Sequence, residues 1–299
     1  MERELASLTT EAQNPASLHL DRMSALEITR LMNEEDRRVP EAIATQLPAI
    51  AAAIDAIVER MRRGGRLFYV GAGTSGRLGV LDAAECIPTF STPPDKVQAI
   101  IAGGARALTG PVEGAEDDYT SGEAVVDQYV IGPDDSVVGL SASGRAPFVL
   151  AALAKARYEG SLTIGVCCTE HPALADHSDI VIAPIVGPEI LTGSTRLKAG
   201  TAQKLILNML STGTMVRLGK CFGNLMVDLQ PTNAKLRDRA VRILQTVTGC
   251  TKEEASQALQ EAGFDVKVAI VMRQHNVDRG TATHLLERAD GHLHKLLHR

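Results

Sequence analysis

The sequence predicts an α/β fold: a five-stranded parallel sheet between helical layers, followed by a small all-α module. Three observations carry this. Five short apolar runs, "RLFYVGA", "KVQAIIAG", "DSVVGLSAS", "LTIGVCC" and "DIVIAPI", fall between about Arg66 and Pro184. Each is bounded by Gly, Pro, Ser or Asp, and the spacing leaves room for a helix between consecutive runs. Unbroken apolarity marks strands covered on both faces, and strand–helix alternation marks a parallel sheet. Past Asp228 the pattern turns to short amphipathic helical segments.

Before the first strand, Ser24 to Arg63 reads as two helices. "ALEITRLMNEEDRRV" places Leu26, Ile28, Leu31 and Met32 close to helical spacing, and "EAIATQLPAIAAAIDAIVERMRRG" continues until Gly64-Gly65 end it. After the fifth strand, "AGTAQKLILNMLSTGTMVRLG" is apolar over much of its surface, with Leu205, Leu207, Met209 and Met215. Such a helix is buried or meets a second subunit, so the stretch Lys204–Val216 points to a homodimer. "LQPTNAKLRDRAVRILQTVTG" is a connecting helix, and three short amphipathic helices complete the chain. Thr251 and Glu254 have capping-box spacing; Gly263 stops one of these helices and Asp265 caps the next. The expected division is 1–56 for N-terminal helices packing on the core, 57–220 for the sheet domain and 221–299 for the linker helix and three-helix module.

Composition narrows the function classes. The formal charge is −5, from 31 basic and 36 acidic residues, which advertises neither nucleic acid nor an anionic membrane as partner. Aromatics are 3 % and Trp is absent, so stacking platforms for single strands are not expected. No apolar run reaches membrane-spanning length, and "MERELASLTT" lacks the basic-then-apolar pattern of a signal peptide. The five cysteines show no paired spacing; Cys167-Cys168 sit in an apolar run as buried thiols, and a reducing cytoplasm is the expected compartment. None of the eight histidines has metal-ligand spacing, and His292, His294 and His298 are expected on an exposed face. No metal or organic cofactor is expected.

In an open parallel sheet, ligands sit beyond the carboxyl ends of the strands. There the first strand leads into Gly71-Ala72-Gly73-Thr74-Ser75-Gly76, and the third into Ser141-Ala142-Ser143-Gly144-Arg145. Each loop should open a helix, whose unpaired N–H groups and dipole attract an anion while the hydroxyls add donors. "GAGTSG" lacks the Gly-Lys-Ser/Thr of a nucleotide phosphate loop. It matches G-x-G-x-x-G, but the second strand ends on Ala102, Gly103 and Gly104 where an acidic residue would hold a ribose, which disfavours a nicotinamide cofactor. The pair of Ser/Gly loops reads instead as a phosphate cradle. A third loop, "GPEILTGSTRLKAGTAQK", brings Ser194, Arg196 and Lys198 as further contributors.

Two acidic stretches stand near this edge. Glu85 lies in "LDAAECIPTF", ten residues after Ser75; Glu113 and Glu116 lie in "VEGAEDD". Ten residues of continuous helix rise about 15 Å, more than a hexose phosphate spans. Either the helix breaks near Gly79, or Glu85 serves a site completed by a second subunit; we favour the second.

"GAGTSGRLGVLDAAECIPTF", "VEGAEDD", "SASGRAPFV", "GSTRLKAGTAQKLILNMLSTG" and "GNLMVDLQPTN" together resemble the motifs of the bacterial N-acetylmuramic acid 6-phosphate etherase family, within the sugar isomerase (SIS) superfamily. The resemblance runs from about Leu18 to the final helices. It implies a three-layer α/β/α SIS domain and a C-terminal module resembling a ubiquitin-associated (UBA-like) domain, which "EAGFDVKVAI" fits. It implies cleavage of the substrate's lactyl ether to N-acetylglucosamine 6-phosphate and D-lactate. It carries Glu85 and Glu116 over as acid/base carboxylates, with Glu85 the proton donor, and supports Gly73, Thr74, Ser75, Ser141, Ser143 and Gly144 at the sugar phosphate. Two rivals share the cradle: a sugar-phosphate isomerase, and a non-catalytic sensor like the glucokinase regulatory protein, which resembles this family.

Overall fold

The computed structural model describes residues 9–297; the expectation for His298 lies outside them. Helices α1 (Ala25–Asp36), α2 (Arg38–Ala44) and α3 (Leu47–Arg62) precede the sheet. Where the sequence suggested two helices there are three, because the chain turns at Arg37 and again at Thr45-Gln46. A capping box opens α1: the Ser24 hydroxyl accepts the Glu27 N–H and the Glu27 carboxylate accepts the Ser24 N–H. The helix α3 ends at Arg62, and Gly64 follows with φ +97°.

Strands β1 (Leu67–Gly71), β2 (Val97–Ile101), β3 (Ser136–Leu140), β4 (Leu162–Val166) and β5 (Ile180–Ile182) form one parallel sheet in the order β2-β1-β3-β4-β5. Between them run α4 (Gly73–Phe90), α5 (Tyr119–Gln128) and α6 (Pro147–Tyr158), with α7 (Lys198–Arg217) after β5. Side chains alternate across a strand. Phe68, Val70 and Val137 pack with Val126 of α5 and Phe148, Val149 and Leu153 of α6 on one face. Tyr69 points the other way, where its hydroxyl donates to Asp82 of α4 at 2.9 Å. The result is a three-layer α/β/α sandwich. On α7, Ile206, Leu207, Leu210 and Met215 are buried within the chain itself. Cys167 and Cys168 are buried thiols, and burial raises both, Cys167 to about 11.

The chain divides into two compact units: Met1–Ala83 with Asp95–Leu210, and Ala84–Pro94 with Ser211–Arg299. The division thus falls ten residues before the expected boundary at 220, and the second unit also takes in the end of α4. Its core is helical, built on α8 (Ala234–Thr248), α9 (Lys252–Glu261), α10 (Val266–His275) and α11 (Arg279–Arg288) around Ala240, Leu244, Leu259, Ile270 and Val271. The Thr251–Glu254 capping box and the Asp265 cap are both present. His294 is exposed, as expected, but His292 is half-buried, with the two rings edge to face at 5.1 Å. Among the described residues no single helix is long and apolar enough to cross a membrane.

Candidate active site

Sheet order decides where the site lies. β2 and β3 flank β1 on opposite sides, so connections leaving β1 and β3 diverge and open a crevice at their carboxyl ends. Gly71 is level with Ile101 on β2 and with Leu140 on β3, so these strands finish together and their loops emerge side by side. The first loop turns tightly into α4: a Cβ on Gly76 would stand 2.6 Å from Ile101 Cγ1 and 2.7 Å from the Gly71 oxygen. The G-x-G-x-x-G spacing therefore serves close packing of helix on strand.

The two loops enclose a cavity of about 210 Å³. Gly73, Thr74 and Ser75 line one side, Ser141, Ala142 and Ser143 the other, and Glu116 and Thr195 approach from further loops. The Ser141 and Ser143 hydroxyl oxygens are 3.4 Å apart. Ser141 also accepts the Ala146 N–H, and Ser143 the Arg145 N–H, which fixes the turn before α6. Gly144 stands behind this turn. Its φ is +67°, and a Cβ there would lie 2.4 Å from Pro172 Cβ, so the position admits glycine alone without rearrangement.

Glu116 is held from both sides of its loop. Its carbonyl accepts the Phe148 N–H at 3.0 Å, at the start of α6. Upstream, Arg77 of α4 donates to the carbonyls of Ala107 at 2.9 Å and Gly110 at 3.1 Å. The residue as a whole is exposed, yet it lines the cavity and its carboxyl is partly buried. Burial of that carboxyl, and then the charge of Asp117, push its pKa above the ordinary glutamate range. Glu113 is exposed and lines a separate open depression with Asp117 and Asp118.

Other residues stand elsewhere. Helix α4 is continuous from Gly73 to Phe90, and Gly79 packs against Tyr69 within it, so no break brings Glu85 back to the cavity. Glu85 is exposed and belongs to the second compact unit. Ser194 is half-buried and off the cavity wall; its neighbour Thr195 takes the lining position. Lys198 corrects the sequence-based expectation most sharply. It is 1 % exposed, and its ammonium donates to Glu35 at 2.5 Å inside the protein. A buried carboxylate partner holds the charge that the sequence offered to an anion. Arg196 is exposed and off the wall. Sequence reasoning also missed Glu11, which lines the cavity from the N-terminal segment and carries no local motif.

Among the described residues no cluster of His, Cys, Asp and Glu has the arrangement to hold a metal ion. Hydroxyls and helix-start amides on one wall, with an acid of raised pKa on another, suit an anionic ligand and a proton transfer beside it.

Fold and pocket together define the class: an α/β protein of the SIS type. The family model described as SIS domain matches residues 119–213, and that of the glucokinase regulatory protein N-terminal SIS domain matches 49–157. The C-terminal lid domain of glucokinase regulatory protein matches 223–289. A phosphoheptose isomerase from Francisella tularensis shares the fold, with a TM-score of 0.51 at 19 % identity over 65 % of this chain and 100 % of its own. Two relatives are far more similar. An N-acetylmuramic acid 6-phosphate etherase from Rubrobacter xylanophilus is 56 % identical over 271 residues, 91 % of this chain and 90 % of that one. One from Streptomyces avermitilis is 53 % identical over 297 residues, 99 % and 96 % of the two chains. The chain belongs to the N-acetylmuramic acid 6-phosphate etherase family.

Proposed function

We propose that this protein cleaves the D-lactyl ether of N-acetylmuramic acid 6-phosphate, releasing D-lactate and N-acetylglucosamine 6-phosphate in cytoplasmic recycling of cell-wall amino sugars. The observation that carries the reading is the juxtaposition of the Thr74/Ser75 and Ser141/Ser143 cradle with a carboxyl of raised pKa, Glu116. In this reading the amides and hydroxyls of the cradle grip the phosphate. Ring opening exposes a C1 aldehyde, which acidifies the C2 proton. Glu116 removes that proton, and its raised pKa makes it the stronger base. The resonance-stabilised carbanion then expels the C3 substituent. An alkoxide leaves poorly, so a second acid must protonate the lactyl oxygen, and Glu85 is assigned that role. Water adds back at C3. Glu85 takes the proton that this water loses, and Glu116 returns its proton to C2.

The cavity is small. At about 210 Å³ it falls below the ~300–1,000 Å³ usual for a small-molecule site, so it suits the phosphate end while the lactyl end projects outward. Ten residues of continuous helix separate Glu85 from Ser75 in the chain, a rise of about 15 Å for an ideal helix. Both points favour a homodimer in which Glu85 of the partner subunit completes the site.

The test is release of free D-lactate from N-acetylmuramic acid 6-phosphate. Glu85→Ala and Glu116→Ala should each abolish it while retaining sugar-phosphate binding. Mixing the two variants should restore about a quarter of wild-type activity, because half the dimers are hybrids with one intact site of two. No restoration would place both acids in one chain's site. Turnover of a sugar phosphate by isomerisation without lactate release would favour the isomerase reading, and binding without turnover the sensor.

A further inference from the structure

Glu11 is the unforeseen member of the cavity wall. It lines the same space as Ser75, Ser143 and Glu116, although it lies some sixty residues before the first of them in the chain. Its carboxylate reaches the loop that carries Thr195: a Cβ built on Gly193 would stand 3.2 Å from Glu11 Oε2.

The segment bearing Glu11 is anchored. Three residues on, Asn14 is 4 % exposed, and its amide donates to Glu35 Oε2 at 2.9 Å and to the Pro188 carbonyl at 3.1 Å. Its side-chain oxygen accepts the Ala16 N–H, and its carbonyl accepts the Ser17 hydroxyl, closing a short turn. Glu35 is in turn held by Lys198. Lys198 is the first residue of α7, and its N–H and that of Ala199 both donate to buried Glu189. One buried network therefore fixes the N-terminal segment, the 188–198 loop and the start of α7 relative to the cavity.

A carboxylate is an acceptor only, and it repels phosphate. The lining otherwise offers hydroxyls, backbone and Glu116, with no lysine or arginine among the described residues. Placed there, and open to solvent when no ligand is bound, Glu11 can pair with a ligand only through donors that the ligand supplies. A sugar phosphate has them away from its phosphate, in ring or open-chain hydroxyls and in an acetamido N–H.

We propose that Glu11 is a specificity residue, which accepts hydrogen bonds from the sugar body and rejects ligands that carry a phosphate without it. This rests on the sugar-phosphate reading of the cavity given above. Asn14, Glu35 and Lys198 act through Glu11 as positioning residues.

The test compares wild type with Glu11→Gln and Glu11→Ala by calorimetric titration with N-acetylglucosamine 6-phosphate and with inorganic phosphate. Glu11→Ala should bind the sugar phosphate at least tenfold more weakly, about 1.4 kcal/mol. Glu11→Gln should lie between it and wild type. Inorganic phosphate should bind both variants as well as wild type or better, since a repelling charge has gone. In turnover, KM should rise more than kcat falls. Sugar-phosphate affinity equal to wild type overturns the proposal. So does an equal loss for both ligands, which would mean collapse of the cavity, and so does lost turnover with unchanged affinity, which would make Glu11 a catalytic acid or base. Glu11 is exposed at the surface of its segment, and unchanged thermal unfolding of both variants guards against misfolding as the cause. Should wild type bind no sugar phosphate, or Ser143→Ala leave its binding intact, the reading of the cavity itself fails, which is a separate result.

Discussion

Replacing Lys198 by Met removes one charge from a buried pair while keeping most of the side-chain volume. Lys198 and Glu35 have side chains 1 % and 4 % exposed, with nitrogen and oxygen 2.5 Å apart. Breaking such a pair typically costs about 3–5 kcal/mol, because the surviving charge stays buried. Here Asn14 remains at 2.9 Å and Arg38 at 3.2 Å, so the expected cost sits at the lower end, about 3 kcal/mol. For a unit of this size that is roughly 6–12 °C in unfolding midpoint. The pH dependence sharpens the test. In the wild type, burial draws the Glu35 pKa upward, but the Lys198 hydrogen bond and charge, with Asn14 and Arg38, outweigh it and leave it lowered. Its stabilising contribution is therefore complete above the unfolded value of about 4.3 and is lost as pH falls through the lower native value. Without Lys198, burial is opposed only by Asn14 and Arg38, and the native value rises. The variant's deficit should then be largest near neutrality and shrink as the solution is acidified towards the ordinary glutamate range. Thermal unfolding followed by circular dichroism at several pH values reads both effects. A deficit under about 1 kcal/mol, or one that does not change with pH, would refute the reasoning. The double variant Lys198→Met/Glu35→Leu should recover much of the loss.

Other perturbations probe the site directly. Gly144→Ala puts a methyl 2.4 Å from Pro172 Cβ at φ +67°, so it should destabilise by about 1–3 kcal/mol and weaken sugar-phosphate binding, measured by unfolding and titration. Asp117→Asn removes a negative charge that helps raise the Glu116 pKa. With Glu116 as base, activity falls as pH drops through that pKa, so the acid limb of the kcat/KM profile should move to lower pH; an unmoved limb would assign it to another group. Arg77→Met frees the carbonyls of Ala107 and Gly110 and loosens the route to Glu116, which should lower kcat about tenfold to a hundredfold with sugar-phosphate affinity little changed.

The sheet and the loops at its carboxyl edge were legible because their signals are local. Apolar runs such as "SVVGL" and "LTIGV" are buried along their whole length, and the glycines that follow β1 announce a tight turn. The capping residues Thr251 and Asp265 likewise act over three positions and read directly. What escaped depends on partners far apart in the chain. Lys198 reads as a free cation until Glu35, 163 residues earlier, is placed beside it. Glu11 joins the cavity only because Asn14 is pinned to Glu35 and Pro188, which no periodicity records. The break between α2 and α3 was missed because Thr45 and Gln46 both keep helical backbone angles, so the turn hides inside a stretch that reads as one helix. Glu85 was singled out by motif, and its ten-residue separation from Ser75 along one helix was read from helical rise alone.

The absence of lysine and arginine from the described cavity lining has a consequence for how the protein discriminates in a crowded solution. In the proposed reading, capture there depends on fixed dipoles at close range, which dissolved ions screen far less than they screen the field of an exposed ammonium or guanidinium. Affinity for a monophosphate should therefore hold nearly constant as ionic strength rises. Polyanions, which are drawn by diffuse positive potential, would find little at this mouth to attract them.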